Sequence, residues 1–183
     1  DTEPLFGPEL IETARWISRY YICTFGEAVF SMIPSGRRET SAGGFAFEAE
    51  LAEEIKKNEL SEEQQTAVDE ILSADSKSQF HYLYGPTGSG KTEVFLSVAE
   101  KVLEQGKGVI YLVPEIGLTS QVSQDIVNRF GDTAAILHSG LTPSRRLNEW
   151  HRIQNRQARV VVGARSAVFA PVPDLGLIII DEE

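Results

Sequence analysis

The 183-residue chain contains one cysteine, one methionine and two tryptophans. A single thiol, Cys23, excludes an internal disulfide and a cysteine-rich zinc site, and it fits a reducing compartment. Beside Ile22 it reads as a small core residue. Basic side chains are also scarce. Seventeen lysines and arginines stand against 27 aspartates and glutamates, a formal charge of −10. Proteins that coat nucleic acid need a concentrated array of cations to release counterions from the phosphates, so any contact with DNA has to be local. No apolar run approaches the roughly 20 residues of a membrane-spanning helix. The acidic start, Asp1-Thr2-Glu3, lacks the basic region of a signal peptide. These absences point to a cytoplasmic protein with no membrane partner. The length suits one α/β domain with a small additional piece, and falls short of a two-lobed motor.

Residues 8–33 carry Leu10, Ala14, Ile17 and Tyr21 at helical spacing, then a break at Thr24 to Gly26, then Ala28, Val29 and Met32 on a second short helix that Pro34 ends. Residues 35–44 are small and polar and read as a linker. Its Arg37-Arg38 pair can touch a phosphate or simply face solvent. A helical pattern over 45–57 follows, with Leu51 and Ile55 on its apolar edge. Beyond Leu60 strands and helices alternate, which predicts a parallel sheet with crossover helices. Ser61 is a suitable N-cap for a helix to about Leu72. The predicted strands are Phe80 to Tyr84, Gly108 to Val113, Ala134 to His138, Arg159 to Val162 and Leu175 to Asp181. Near-continuous apolar character in several of them is expected of strands covered by helices on both faces.

Two segments carry chemistry. Gly85-Pro86-Thr87-Gly88-Ser89-Gly90-Lys91-Thr92 is a complete G-x-x-x-x-G-K-[ST] phosphate-binding loop. It follows the apolar run 81–84 and precedes the helical pattern Glu93 to Leu103. Glycines let the backbone approach a triphosphate and adopt positive φ, and the helix N-terminus adds partial positive charge. Lys91 would neutralise the β and γ phosphates, and Thr92 would place its hydroxyl on Mg²⁺. The second segment is Leu175 to Glu183, an apolar strand ending in Asp181-Glu182-Glu183. It puts carboxylates at the edge of a parallel sheet where ligands bind. Asp181 would hold the metal, and Glu182 would deprotonate the attacking water. An Asp-Glu pair after a strand is weak by itself; the phosphate loop about 90 residues upstream gives it meaning.

Three further segments bear on which kind of ATPase this is. Gln64 lies about 20 residues before the loop. Its amide offers a donor and an acceptor to an adenine edge, or it is an ordinary surface glutamine on an amphipathic helix. The turns 113–121 and 162–167 contain Thr119, Arg165 and Ser166, and such groups can hold a nucleic-acid backbone.

In order along residues 60–183, LxxEQ, GPTGSGKTE, YLVPEIGLTSQ, HSGL, NEW, RVVVGARSAVFAP and LGLIIIDEE resemble the first motor lobe of the bacterial replication-restart helicases, the PriA family of superfamily 2. VPEIGLT and GARSAVFAP are far more specific than the phosphate loop. Residues Leu10 to Pro34, with Trp16, Tyr20-Tyr21 and GEAV, resemble the tail of that family's domain for the 3′ end of a DNA strand.

The resemblance implies a RecA-like P-loop lobe, a parallel β-sheet flanked by helices, preceded by a short helical segment. It divides the chain into 1–38, 39–59 and 60–183. It further implies an ATP-dependent 3′ to 5′ DNA helicase of replication restart, with forked or single-stranded DNA and other restart proteins as partners. Gln64 is similar to the adenine-recognising glutamine. Gly85, Pro86, Thr87, Gly88, Ser89, Gly90, Lys91 and Thr92 are similar to the nucleotide loop, Thr92 and Asp181 to the Mg²⁺ residues, and Glu182 to the catalytic acid. Thr119, Arg165 and Ser166 fall in segments that face the translocating strand, and His138-Ser139 fit a motif that is structural or DNA-facing. Against the family pattern, only about 25 residues separate Pro34 from Leu60, where a winged-helix domain normally lies, and Ser120 replaces a usual proline. Zinc-binding cysteines and a second motor lobe, which supplies an arginine to the reaction, are not in these residues. The chain therefore reads as part of a longer polypeptide, in itself poor at turnover. The competing readings are a P-loop ATPase of another class, a kinase or switch, and a regulatory module that binds ATP without hydrolysis. A kinase would carry an arginine-rich lid after the loop, which is not evident.

Overall fold

A computed structural model describes residues 6–33, 59–73, 80–114 and 121–181, with only the backbone of 121–123. The expected linker at 35–44, the helical pattern at 45–57, Pro34, Thr119 and Glu182 lie outside the described residues.

The described N-terminal part is a helical pair, α1 (Pro8–Tyr20) and α2 (Phe25–Met32). Pro8 opens α1, where its fixed φ suits a helix and its missing N–H is not needed. Thr24 starts α2 through a reciprocal cap: its hydroxyl accepts from the Glu27 N–H at 3.2 Å, and the Glu27 carboxylate accepts from the Thr24 N–H at 2.8 Å. The backbone hydrogen bond from Thr24, then the bond from its side chain, hold the Glu27 carboxyl below its ordinary range. Ala14, Ala28 and Met32 are buried between the helices, with Leu10, Ile17 and Val29 around them. One expectation fails here. Tyr21 is two-thirds exposed, because α1 ends one residue before it. Ile22 is almost fully exposed with φ 54, while Cys23 alone turns toward the small core. The chain reverses at Tyr21-Ile22, and a reversal needs a left-handed residue more than a buried one.

The remainder is α/β. After α3 (Glu62–Ser73) and α4 (Lys91–Glu104) come β1 (Gly108–Leu112), α5 (Gln121–Phe130), β2 (Ala134–Leu137), α6 (Pro143–Gln154), β3 (Val160–Gly163) and β4 (Leu175–Ile180). The four strands form a parallel sheet in the order β2-β3-β1-β4. Val109 pairs with Val160 and Leu112 with both Gly163 and Ile180, so the carboxyl ends of β1, β3 and β4 reach one edge together.

Successive residues of a strand point to opposite faces, so a strand between two helical layers must be apolar throughout. Val109, Tyr111, Val160 and Val162 face Val94, Val98 and Ala99 of α4 and Ile126 of α5. Ile110, Leu112 and Val161 face the opposite layer, with Ile153 of α6 and Ala167. β1 and β3 are buried along their whole length, as the sequence predicted. β4 is not. Leu175, Ile178 and Ile180 are exposed, because β4 is an edge strand in the described sheet and only Ile179 is buried.

The predicted strand at Phe80 to Tyr84 is also corrected. Residues 80–86 lie outside the sheet, with Phe80, Tyr82 and Tyr84 exposed and Leu83 packed on the core. A strand exists only through a ladder of hydrogen bonds to a neighbour, and no described strand offers that segment one.

Candidate functional site

The phosphate-binding loop sits where the segment at 80–86 gives way to α4. Gly88 and Gly90 have φ 81 and 79, a left-handed conformation that side chains with a Cβ rarely adopt. Gly90 is the N-cap of α4, and the Ser89 N–H donates to the Pro86 carbonyl at 3.1 Å, closing the turn. Lys91 and Thr92 form the first turn of α4, where helix N–H groups lack intrahelical acceptors and the dipole favours an anion. The Lys91 ammonium folds back over the loop and donates to the carbonyl of Gly85 at 2.7 Å and of Pro86 at 3.4 Å. Pro86, Thr87, Gly88 and Ser89 are exposed, so the concave face of the turn is open to a ligand.

Gln64 reaches the same loop from α3. Ser61 and Gln64 cap that helix reciprocally, with the Ser61 N–H donating to the Gln64 amide oxygen at 2.9 Å and the Gln64 N–H to the Ser61 hydroxyl at 3.2 Å. The Gln64 amide nitrogen then donates to the Ser89 carbonyl at 3.1 Å. One side chain thus ties the start of α3 to the tip of the loop, 25 residues away in sequence.

Asp181 follows β4 at the edge shared with β1, its N–H donating to the Leu112 carbonyl at 2.9 Å. Its carboxylate Oδ2 accepts from the phenol of Tyr111 at 2.9 Å. The Thr92 side chain lies close enough to the same phenol to affect its ionisation. The two residues expected at a metal, Thr92 and Asp181, thus both lie beside a fully buried tyrosine. A hydroxyl and a carboxylate, completed by phosphate oxygens and water, form an all-oxygen donor set of the kind Mg²⁺ prefers. Burial first, and then the charge of Asp181, raise the Tyr111 ionisation far above the phenol range. Tyr111 escaped the sequence reading because a tyrosine in the apolar run Gly-Val-Ile-Tyr-Leu reads as core. The signal available was that it is the one residue of that strand with a polar side-chain atom.

Arg165 and Ser166 are exposed at the start of a 3₁₀ turn, Arg165–Phe169, directly after β3. Nearby, the carbonyls of His138 and Ser139 each accept from Arg146 at 3.1 Å, and His138 Nδ1 accepts from the Gly140 N–H at 3.1 Å. Burial, then the charge of Arg146, lowers the His138 ionisation, which keeps that nitrogen an acceptor. The 3₁₀ turn also meets the N-terminal helices, since Phe169 packs on the cluster of Ala14, Ala28 and Met32. Among the described residues no helix is long and apolar enough to cross a membrane, and no cluster of three histidine, cysteine or acidic side chains is placed to hold a metal.

A family model described as DEAD/DEAH box helicase matches residues 61–183. A second, described as 3′DNA-binding domain (3′BD), matches residues 1–34. The chain is 50% identical over 183 residues to the replication restart protein PriA of Treponema pallidum (strain Nichols), covering all of this chain and 28% of that protein. It is 50% identical over 127 residues to PriA of Bacillus subtilis (strain 168), which covers 68% of this chain and 16% of the relative. The PriA of Rickettsia felis is 34% identical over 175 residues, 96% of this chain and 26% of the relative. The chain therefore spans little more than a quarter of the length of the relatives it matches most fully.

Proposed function

The chain belongs to the DEAD/DEAH box helicase family, among the PriA replication restart proteins, and from that premise we propose that residues 60–183 bind ATP and Mg²⁺ and contact DNA as one lobe of an ATP-driven DNA helicase acting in replication restart. The observation that carries this reading is the convergence of three separate segments on one sheet edge. These are a glycine loop with two left-handed residues opening into Lys91 and Thr92 of α4, Tyr111 of β1, and Asp181 at the end of β4, the last two joined by a hydrogen bond.

In this proposal the phosphates lie on the concave face of Gly85, Pro86, Thr87, Gly88, Ser89 and Gly90. Lys91 exchanges its loop carbonyls for phosphate oxygens, a gain because a charged donor bonds an anionic acceptor more strongly than a neutral one. Gln64, held against Ser89, reads the adenine. Mg²⁺, held by Thr92 and Asp181, supplies charge neutralisation on the transferring phosphoryl group. Glu182 accepts the proton of the attacking water. Thr119, Arg165 and Ser166 form a local DNA-facing track, consistent with a chain too acidic for a broad one. The helices α1 and α2 belong to a unit that engages the 3′ end of DNA, as supported by the match to the 3′DNA-binding domain. The intact polypeptide works in the cytoplasm on forked or single-stranded DNA with other restart proteins. Any zinc belongs to other parts of it.

Two titrations test the proposal. Calorimetry with ADP and Mg²⁺ is expected to show binding that Lys91→Ala weakens sharply. Fluorescence anisotropy with single-stranded DNA at two salt concentrations is expected to show weak, steeply salt-dependent binding, about 10⁻⁴ M or weaker at physiological salt, which Arg165→Ala lowers without changing ADP affinity. Equal ADP affinity in wild type and Lys91→Ala overturns the nucleotide site, and an unchanged DNA isotherm in Arg165→Ala removes Arg165 from the track.

A further inference from the structure

We infer that Tyr111 is a positioning residue for the metal of the nucleotide site, its phenol setting the Asp181 carboxylate in the orientation a phosphate-bound divalent cation requires. This rests on the nucleotide-binding reading above.

Tyr111 lies in the middle of β1 with no exposed surface. A phenol has one hydrogen to give and lone pairs to receive. Its hydrogen goes to Asp181 Oδ2 at 2.9 Å. Asp181, engaged there, keeps its other oxygen for a cation or a bridging water, so the phenol fixes the rotation of that carboxylate.

The ring itself is fixed. It packs among Val94, Val98 and Ile179 in the core cluster, and the ring of Phe95 meets it edge-on at 6.2 Å and 84°. Packing alone does not explain the hydroxyl. The other side chains of β1 are aliphatic, and a phenylalanine would fill the same volume without a polar atom to satisfy. The hydroxyl has a purpose only in what it bonds, and its partner Asp181 is a residue proposed to hold the metal. Partners one step removed from a metal typically change its affinity 10- to 100-fold when removed.

The test is a Mg²⁺ titration of ADP binding, followed by calorimetry on the 183-residue chain as wild type, Tyr111→Phe, Asp181→Asn and the double variant. Tyr111→Phe is expected to raise the Mg²⁺ midpoint by about tenfold, to leave ADP affinity in EDTA unchanged, and to add nothing to Asp181→Asn, because the phenol acts through that carboxylate. An unchanged Mg²⁺ midpoint overturns the inference. An equal loss of ADP affinity with and without Mg²⁺ also overturns it, since that is the signature of a packing role. If Phe leaves the chain unfolded, Tyr111→Met removes the hydroxyl in a more adaptable side chain and repeats the titration. A wild type with no Mg²⁺-dependent ADP binding sinks the nucleotide reading itself, a result separate from any difference between the variants.

Discussion

Replacing Arg129 by methionine is expected to be among the most damaging single changes to the stability of the motor lobe. Arg129, on the last turn of α5, donates to Glu93 at 2.5 Å, to Glu100 at 2.8 and 3.0 Å, and to the Ser97 hydroxyl at 3.4 Å, all on α4. Its side chain is 11% exposed, and those of Glu93 and Glu100 are 21% and 24% exposed. Burial by itself would depress the guanidinium, but the hydrogen bonds to Glu100 and Glu93 outweigh it and hold the ionisation above the ordinary range. Methionine keeps the apolar stem and leaves two carboxylates facing each other in a half-dry groove. Removing one partner of a fully buried pair costs about 3–5 kcal/mol. Because water reaches both glutamates here, the loss falls below that range, at about 2–3 kcal/mol. For a chain of this size that lowers the melting temperature by roughly 5–10 °C. The assay is thermal and urea unfolding followed by circular dichroism. Adding Glu93→Gln and Glu100→Gln to the methionine variant is expected to restore part of the loss, since the carboxylates that lost the guanidinium are then uncharged. A methionine variant within about 0.5 kcal/mol of wild type, the size of an ordinary surface substitution, or a triple variant no better than the single one, refutes the reasoning.

Other expectations concern pH and turnover. His138 has its folded ionisation lowered by burial and by Arg146, so its neutral form contributes stability in full above about pH 6.5, and that contribution is lost as the pH falls through the folded value. His138→Asn, which keeps an acceptor for the Gly140 N–H, is expected to flatten the melting temperature between pH 7 and 5; an unchanged slope contradicts this. The 183-residue chain alone is expected to hydrolyse ATP negligibly in a coupled assay, because an absent arginine finger costs about 10³ to 10⁵ in rate; robust DNA-stimulated turnover contradicts that. In a polypeptide carrying both motor lobes, Glu182→Gln is expected to retain nucleotide binding and lose steady-state hydrolysis, and near-normal hydrolysis would move the general base elsewhere.

The alternation of β1, β2, β3 and β4 with helices was legible because a strand sandwiched between helices must be apolar at every position, as Gly108–Leu112 and Val160–Gly163 are. The phosphate loop was legible because backbone geometry dictates its glycines, and φ 81 at Gly88 and 79 at Gly90 are the values such a loop needs. What local sequence does not carry is the neighbour. Phe80 to Tyr84 has strand-like composition, but pairing depends on an adjacent strand, and the segment lies outside the described sheet. Tyr111 reads as core until β4 is seen to end beside it. Arg129 reads as a surface arginine, because its partners Glu93 and Glu100 are 36 and 29 residues away and only the packing of α5 on α4 unites them. Tyr21 misled for the opposite reason, an apolar position at helical spacing that falls where α1 has ended and the chain reverses.

Gly85 to Thr92 and Asp181 are proposed to hold a nucleotide and its metal together. The most direct measurement is anomalous diffraction from crystals of the chain grown with ADP and Mn²⁺, which substitutes for Mg²⁺ on oxygen ligands. Diphosphate density is expected on the N-terminus of α4, with one anomalous peak about 2.0–2.2 Å from the Thr92 hydroxyl and beside the Asp181 carboxylate. ADP seated elsewhere, or a metal bound away from Thr92 and Asp181, would contradict this proposal.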